Sequence, residues 1–123
     1  METYGKELIL DLKYCDSTTF NRENLTDFFT QLCELIDMEQ CDLHFWDDVG
    51  VPEEECQIDP KLKGISAVQF IMTSSIVIHC LDILKTVYVN LFSCKDFDTN
   101  EATRFIRIWF SGDIVKRTEV DRT

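Results

Sequence analysis

Gly64-Ile65-Ser66-Ala67-Val68-Gln69-Phe70-Ile71-Met72 and Ser74-Ser75-Ile76-Val77-Ile78-His79-Cys80 are two apolar, β-branched runs with only Thr73 between them. Residues of this kind suit a pleated, half-buried surface, so the two runs read as successive strands. A third run, Thr86-Val87-Tyr88-Val89-Asn90-Leu91-Phe92, follows the short connector Asp82–Lys85 and reads the same way. Upstream, Leu8, Leu10 and Leu12 alternate with other residues, which predicts a strand with one buried face. Cys41 to Trp46 is a further strand. Asp113 to Val120 is a last one, charged enough to be an edge.

Two segments switch to helical spacing. Asn21 can cap a helix whose apolar positions are Leu25, Phe28, Phe29, Leu32, Leu35 and Ile36, ending near Met38. Asp98-x-x-Glu101 resembles a capping box. It opens a helix with Ala102, Phe105, Ile106 and Trp109 on one side, and Gly112 is placed to stop it. The order is strand, helix, four strands, helix, strand. That predicts a single α+β domain over 1–123, a two-layer sandwich with both helices on one face of a mainly antiparallel sheet. Residues 47–63 are the one long irregular stretch, with the acidic run Glu53-Glu54-Glu55. A loop of that length is a solvated acidic segment or a functional one.

The 123 residues carry a formal charge of −11, which argues against nucleic acid and anionic membrane surfaces as partners. It is compatible with a cationic small molecule, and equally with plain solubility. The N-terminus lacks the basic start and apolar run of a signal peptide, and no run reaches the length of a membrane span. A cytoplasmic protein is expected. Its six cysteines then read as reduced thiols, most of them small buried hydrophobes. With two histidines and no Cys-x-x-Cys pair, no metal site is expected.

Ser74, His79 and Cys94 stand out as a serine, a histidine five residues on and a cysteine twenty residues on. Taken singly, each has an ordinary structural reading: a satisfied buried hydroxyl, a strand histidine, a packed thiol. An offset of five also puts Ser74 and His79 on opposite faces of a regular strand. A shared site on one face therefore requires Ser74 to lie in a bend or bulge before the strand.

Taken together, the positions resemble a known pattern. From Tyr4 to about Arg122 the chain resembles the prokaryotic-type S-adenosylmethionine decarboxylases. Tyr4-Gly5-Lys6-Glu7-Leu8 sits at the family's Gly-basic opening, and Cys15-Asp16 at the end of its first strand. Gly64-Ile65-Ser66 matches its Gly-Val-Ser, and Leu91-Phe92-Ser93-Cys94 its Phe-Thr-Cys. The resemblance implies self-cleavage between Thr73 and Ser74. The Ser74 hydroxyl attacks the Thr73 carbonyl, Ser66 steadies the oxyanion, and His79 removes the serine α-proton. The result is a pyruvoyl group derived from Ser74, an electron sink for decarboxylation of an amino-acid-type substrate, with Cys94 returning a proton. It also implies a homodimer with sites near the interface, and a place in polyamine synthesis.

The chain departs from the family's pattern at several positions. Thr73 replaces Glu, Cys80-Leu81-Asp82-Ile83 replaces Thr-Trp-Pro-Glu, and Lys95 replaces Gly. The lost aromatic and acid are expected to hold the substrate's nucleoside part. Phe45 and Trp46 either supply a stacking surface in their place or pack in the core. Three functions stay open: decarboxylation of S-adenosylmethionine; the same chemistry on a basic amino acid such as ornithine or arginine, paired by Asp47-Asp48 and Glu53–Glu55; or an uncleaved binding or regulatory relative.

Overall fold

The computed structural model describes residues 3–123. Strands β1 (Gly5–Lys13), β2 (Gln40–Trp46), β3 (Gly64–Ile71), β4 (Ser74–Leu81), β5 (Thr86–Ser93) and β6 (Asp113–Arg122) form one antiparallel sheet ordered β2-β3-β4-β5-β1-β6. Helices α1 (Arg22–Leu35) and α2 (Thr99–Phe110) cover one face. The expected α+β sandwich is the observed one. β1 is threaded between β5 and β6, so the chain's first strand is an interior one.

Alternation decides which face each strand buries. Leu8, Leu10 and Leu12, with Ile76, Ile78 and Cys80 and with Val87, Val89 and Leu91, point at the helices and are fully buried. Phe28 joins the two helices, its ring 5.8 Å from Phe105, 5.7 Å from Trp109 and 5.0 Å from Phe110. The Trp109 indole donates to Asn24 Oδ1 at 2.8 Å, so its polar end is satisfied within the apolar layer. Gln69 is buried on the same face; its amide donates to the Cys41 carbonyl and accepts from Gln40. It thereby ties β2 to β3 where the register shifts.

The caps are the expected ones, with small corrections at helix ends. Asn21 accepts from Asn24 N at 2.8 Å, and Asp98 from Asn100 N and Glu101 N at 3.0 Å. α1 stops at Leu35, short of Met38, because Asp37 turns left-handed with φ 56°. α2 is stopped by left-handed Ser111, not by Gly112. Gly112 is needed for space instead: a Cβ there would lie 2.5 Å from Cys15 Sγ. The edge strand β6 runs on to Arg122, beyond the expected Val120. Within 47–63 the chain makes one 3-10 turn at Glu53–Glu55, and the polar turn after β1 makes another at Ser17–Thr19. No helix among the described residues is long and apolar enough to cross a membrane.

Among the described residues, the other face of the sheet carries no helix. It presents Ile9, Val68, Phe70, Val77, Tyr88 and Phe92, together with Trp46, Ser66 and His79.

Candidate functional site

β3 and β4 are joined by the two-residue turn Met72–Thr73, with Ile71 paired to Ser74. Ser74 is the first residue of β4 and follows its alternation without a bulge. The bend that a shared face required is therefore absent. Ser74 faces the helix side, 8% exposed, and His79 faces the open side. At about 3.3 Å per residue the two lie roughly 17 Å apart along the strand. Backbone pairing on both flanks of β4 keeps it straight, so no local rearrangement brings them together.

The structure instead builds two clusters. The first gathers Thr73, Ser74 and Cys94 where the β3–β4 turn meets the end of β5. Thr73 Oγ1 donates to Met72 O at 2.7 Å and lies 3.0 Å from Cys94 Sγ. Ser74 Oγ accepts from Cys94 N at 3.1 Å and donates to Cys94 Sγ at 3.8 Å. Hydrogen bonds from the Thr73 hydroxyl, and then from that of Ser74, hold the Cys94 thiol below its ordinary range; Tyr4 contributes a smaller one. Cys94 follows directly on β5, and the Ser93 hydroxyl turns the chain there, accepting from Lys95 N and donating to Lys95 O. A cleft of about 490 Å³ opens beside the thiol, lined by Met38, Glu39, Met72 and Thr73 and bridged by Lys95. The Lys95 ammonium donates to Asp37 O and Oδ2, both at 2.7 Å.

The second cluster is on the open face. Ser66 pairs with His79 across β3 and β4, and Ser66 Oγ lies 2.6 Å from His79 Nδ1. Trp46 stands opposite Ser66, and Tyr88 opposite His79. Ser66, His79 and Trp46 line a shallow cleft of about 200 Å³ with His44 and Val68. Trp46 is 83% exposed, so it is not a core residue. Phe45 faces the other way, packs against the core and lies under the Arg22 guanidinium.

Sequence reasoning found the members of both clusters but not their grouping. It placed Ser66 as the oxyanion donor at the cleaved bond, whereas Ser66 sits with His79 on the far face. It also missed Met38 and the Lys95–Asp37 pair that borders the larger cleft. Lys95 adjoins Cys94 in sequence, which is a usable signal; Met38 reaches the site only because α1 ends where it does. Asp47, one of the carboxylates expected to meet a basic substrate, is already engaged: Arg22 Nε and Nη2 each donate to it at 2.7 Å.

The chemistry available in the first cluster is that of two hydroxyls and an acidified thiol around one turn peptide. A hydroxyl held next to its own preceding carbonyl can attack it intramolecularly, and the thiol can accept and return protons. Comparison with known proteins bears on the chain as a whole. The family model described as S-adenosylmethionine decarboxylase matches residues 6–123. The crystal structure of an adenosylmethionine decarboxylase from Aquifex aeolicus VF5 superposes with a TM-score of 0.76 at 16% identity, covering 99% of this chain and 92% of that one. No curated protein sequence matches.

Proposed function

Because the chain belongs to the S-adenosylmethionine decarboxylase family, we propose that it is a proenzyme that cuts itself between Thr73 and Ser74 and then decarboxylates S-adenosylmethionine. The observation that carries this reading is the meeting of Thr73, Ser74 and Cys94 at one exposed turn. Ser74 Oγ attacks the Thr73 carbonyl carbon and passes its proton to Cys94 Sγ, its hydrogen-bond partner. The adduct collapses to an ester, and loss of the serine α-proton expels the Thr73 carboxylate and leaves dehydroalanine at position 74, which tautomerises to an imine and takes up water with release of ammonia. The new start at position 74 fits a pyruvoyl group, because it opens β4 beside Cys94 at the edge of the larger cleft. Such a group supplies a ketone that captures the substrate's α-amino group and draws electrons away as carbon dioxide leaves. Cys94 holds the proton returned to the substrate's α-carbon, and Glu39, beside the Lys95–Asp37 pair, leaves the cleft net negative, which suits a cationic substrate. The free cysteines fit a reducing, cytoplasmic setting.

His79 and Ser66 enter through a second copy of the chain. The open sheet face carries Val68, Phe70, Val77 and Phe92 beside the polar Glu7, Asp11 and Asn90, and a homodimer would stack two such faces as in a sheet-on-sheet sandwich. A two-fold axis lying in that interface, perpendicular to the strands, sets the His79 end of one β4 over the Ser74 end of the other. The pair then serves the partner's cleavage site.

Incubated protein examined by intact mass should resolve into two pieces, and carbon dioxide should be released from S-adenosylmethionine rather than from ornithine or arginine. A single full-length species after long incubation refutes the reading. The Ser74→Ala and His79→Ala chains, each defective alone, should restore cleavage of the His79→Ala chain when co-expressed. Light scattering should give twice the chain mass, and a monomer would remove the second copy from the mechanism.

A further inference from the structure

The turn that carries the proposed break holds a second hydroxyl, and its geometry is the more unusual of the two. Thr73 is β-branched yet has φ 55°, a left-handed backbone that such residues rarely adopt. Two-residue hairpins ordinarily place positive φ at the first central residue or at both, whereas here only the second has it. The unfavourable conformation sits at the bond in question, where backbone strain tends to signal function.

That conformation brings the Thr73 hydroxyl back onto its own preceding peptide. Oγ1 is 2.7 Å from Met72 O. A carbonyl bond is about 1.23 Å long, so Oγ1 is within about 4 Å of the Met72 carbonyl carbon. On its other side Oγ1 is 3.0 Å from Cys94 Sγ. One hydroxyl proton cannot serve both contacts. When the thiol is ionised the proton turns to sulfur, and a lone pair is left facing the carbonyl. Ser74 is placed less openly: its hydrogen bonds run to Cys94, and its hydroxyl receives the Cys94 N–H.

We propose that Thr73 is itself a processing nucleophile, so that a share of the chains breaks between Met72 and Thr73 and begins with a 2-oxobutanoyl group. This rests on the reading of the protein as self-processing. Oγ1 attacks the Met72 carbonyl carbon while its proton passes to Cys94. The C–N bond of the adduct breaks, the Thr73 nitrogen takes a proton, and Met72 is left as an ester on Oγ1. Removal of the Thr73 Cα proton expels the Met72 carboxylate from Cβ and leaves dehydrobutyrine at position 73. Tautomerisation to the imine and attack by water release ammonia and leave the 2-oxobutanoyl group. The sequence is redox-neutral and consumes one water, to which the exposed Thr73 is open. The product chain is one residue longer than the pyruvoyl form, and its ketone carries an extra methyl group into the cleft beside Cys94.

The test is intact-mass analysis of the full chain after incubation at neutral pH. Pieces ending at Met72 are expected beside those ending at Thr73, and hydroxylamine should tag the new start of each rear piece. Ser74→Ala should lose the second break and keep the first. Thr73→Val combined with Ser74→Ala should lose both, and Thr73→Ser in the Ser74→Ala chain should restore the break after Met72. Thermal melts of each variant separate lost chemistry from lost folding. If every piece ends at Thr73, the Thr73 route is wrong and the Ser74 reading stands. If no chain breaks at all, both fall.

Discussion

Replacing Gly5 by Ala tests whether the start of β1 sets the position of Cys94. A Cβ on Gly5 would fall 2.0 Å from Ser93 O and 2.7 Å from Cys94 Cα. Contacts of this kind are not made below 3.0 Å, so the two backbones must part by about 1 Å. Neither neighbour is a flexible side-chain tip that could swing away. Overpacking of this sort costs about 1–3 kcal/mol. At roughly 4 °C per kcal/mol for a chain of this size, the melting point should fall by about 4–12 °C. The displacement is aimed at the residue that holds both hydroxyls of the turn, and a misplacement of about 1 Å can lower a reaction rate about 100-fold. Two readouts are needed: thermal unfolding followed by circular dichroism, and the rate at which the full-length band disappears on a denaturing gel. Gly50→Ala is the matched control. Gly50 has φ 81° with open space around it, so alanine there strains the backbone by about 1–2 kcal/mol without touching the site. It should lower stability and spare cleavage. If Gly5→Ala cleaves as fast as the native chain, or if Gly50→Ala slows cleavage as much, the proposed coupling between β1 and Cys94 is wrong.

Cys94→Ala should cut before Ser74 more slowly, having lost the acceptor of the hydroxyl proton, and should lose at least about 100-fold in carbon dioxide release; unchanged turnover would remove the thiol from the decarboxylation step. In the uncleaved chain, hydrogen bonds from Thr73 and Ser74 lower the thiol's pKa, so alkylation of Cys94 in freshly made protein should rise at a pH below the free cysteine value of about 8.5. A rise only above that value would contradict the contact geometry. Arg22→Ala strands the Asp47 carboxylate, whose side chain is only 6% exposed, and should cost about 1–3 kcal/mol in urea unfolding at neutral pH. The Arg22 hydrogen bonds hold the Asp47 carboxyl below its usual range. The pair therefore stabilises above the unfolded value of about 3.9, and its contribution fades as pH drops through the lower native one. Native and variant curves should converge in strong acid. Asp82 has the opposite sign, because burial raises its pKa and its ionisation penalises the native state as pH rises. Asp82→Asn should be more stable than the native protein at pH 7 and no different in strong acid; equal melting points at both would refute this.

The fold was legible because burial in this chain follows simple periods. The Leu8, Leu10, Leu12 alternation and the three- and four-residue spacings of α1 bury the face they imply, except at Leu35, the last residue of α1, which is exposed. The helix ends were less legible, because left-handed Asp37 and Ser111 stop the helices where no glycine stands. For the site, the period-two rule was right that Ser74 and His79 point to opposite faces, and the bend invoked to reunite them does not exist. The missing step was the turn length. With Met72–Thr73 as a two-residue turn, paired residues of β3 and β4 are fixed, and Ser66 must then stand opposite His79. Trp46 could not be placed from sequence, because β2 pairs with β3 through a register shift, and only the shifted pairing sets it on the open face. The Lys95–Asp37 contact joins residues 58 apart and depends on how α1 meets the sheet.

Because β1 is threaded between β5 and β6, a nick at the Met72–Thr73 turn cannot let the halves drift apart. The front piece keeps β1, β2 and β3, and the rear piece keeps β4, β5 and β6. Every boundary between them, β3 with β4 and β1 with its two neighbours, is a full backbone ladder. Maturation of this kind turns one polypeptide into an interlocked pair of peptides with its scaffold unchanged. The same weave gives the two pieces complementary sheet edges.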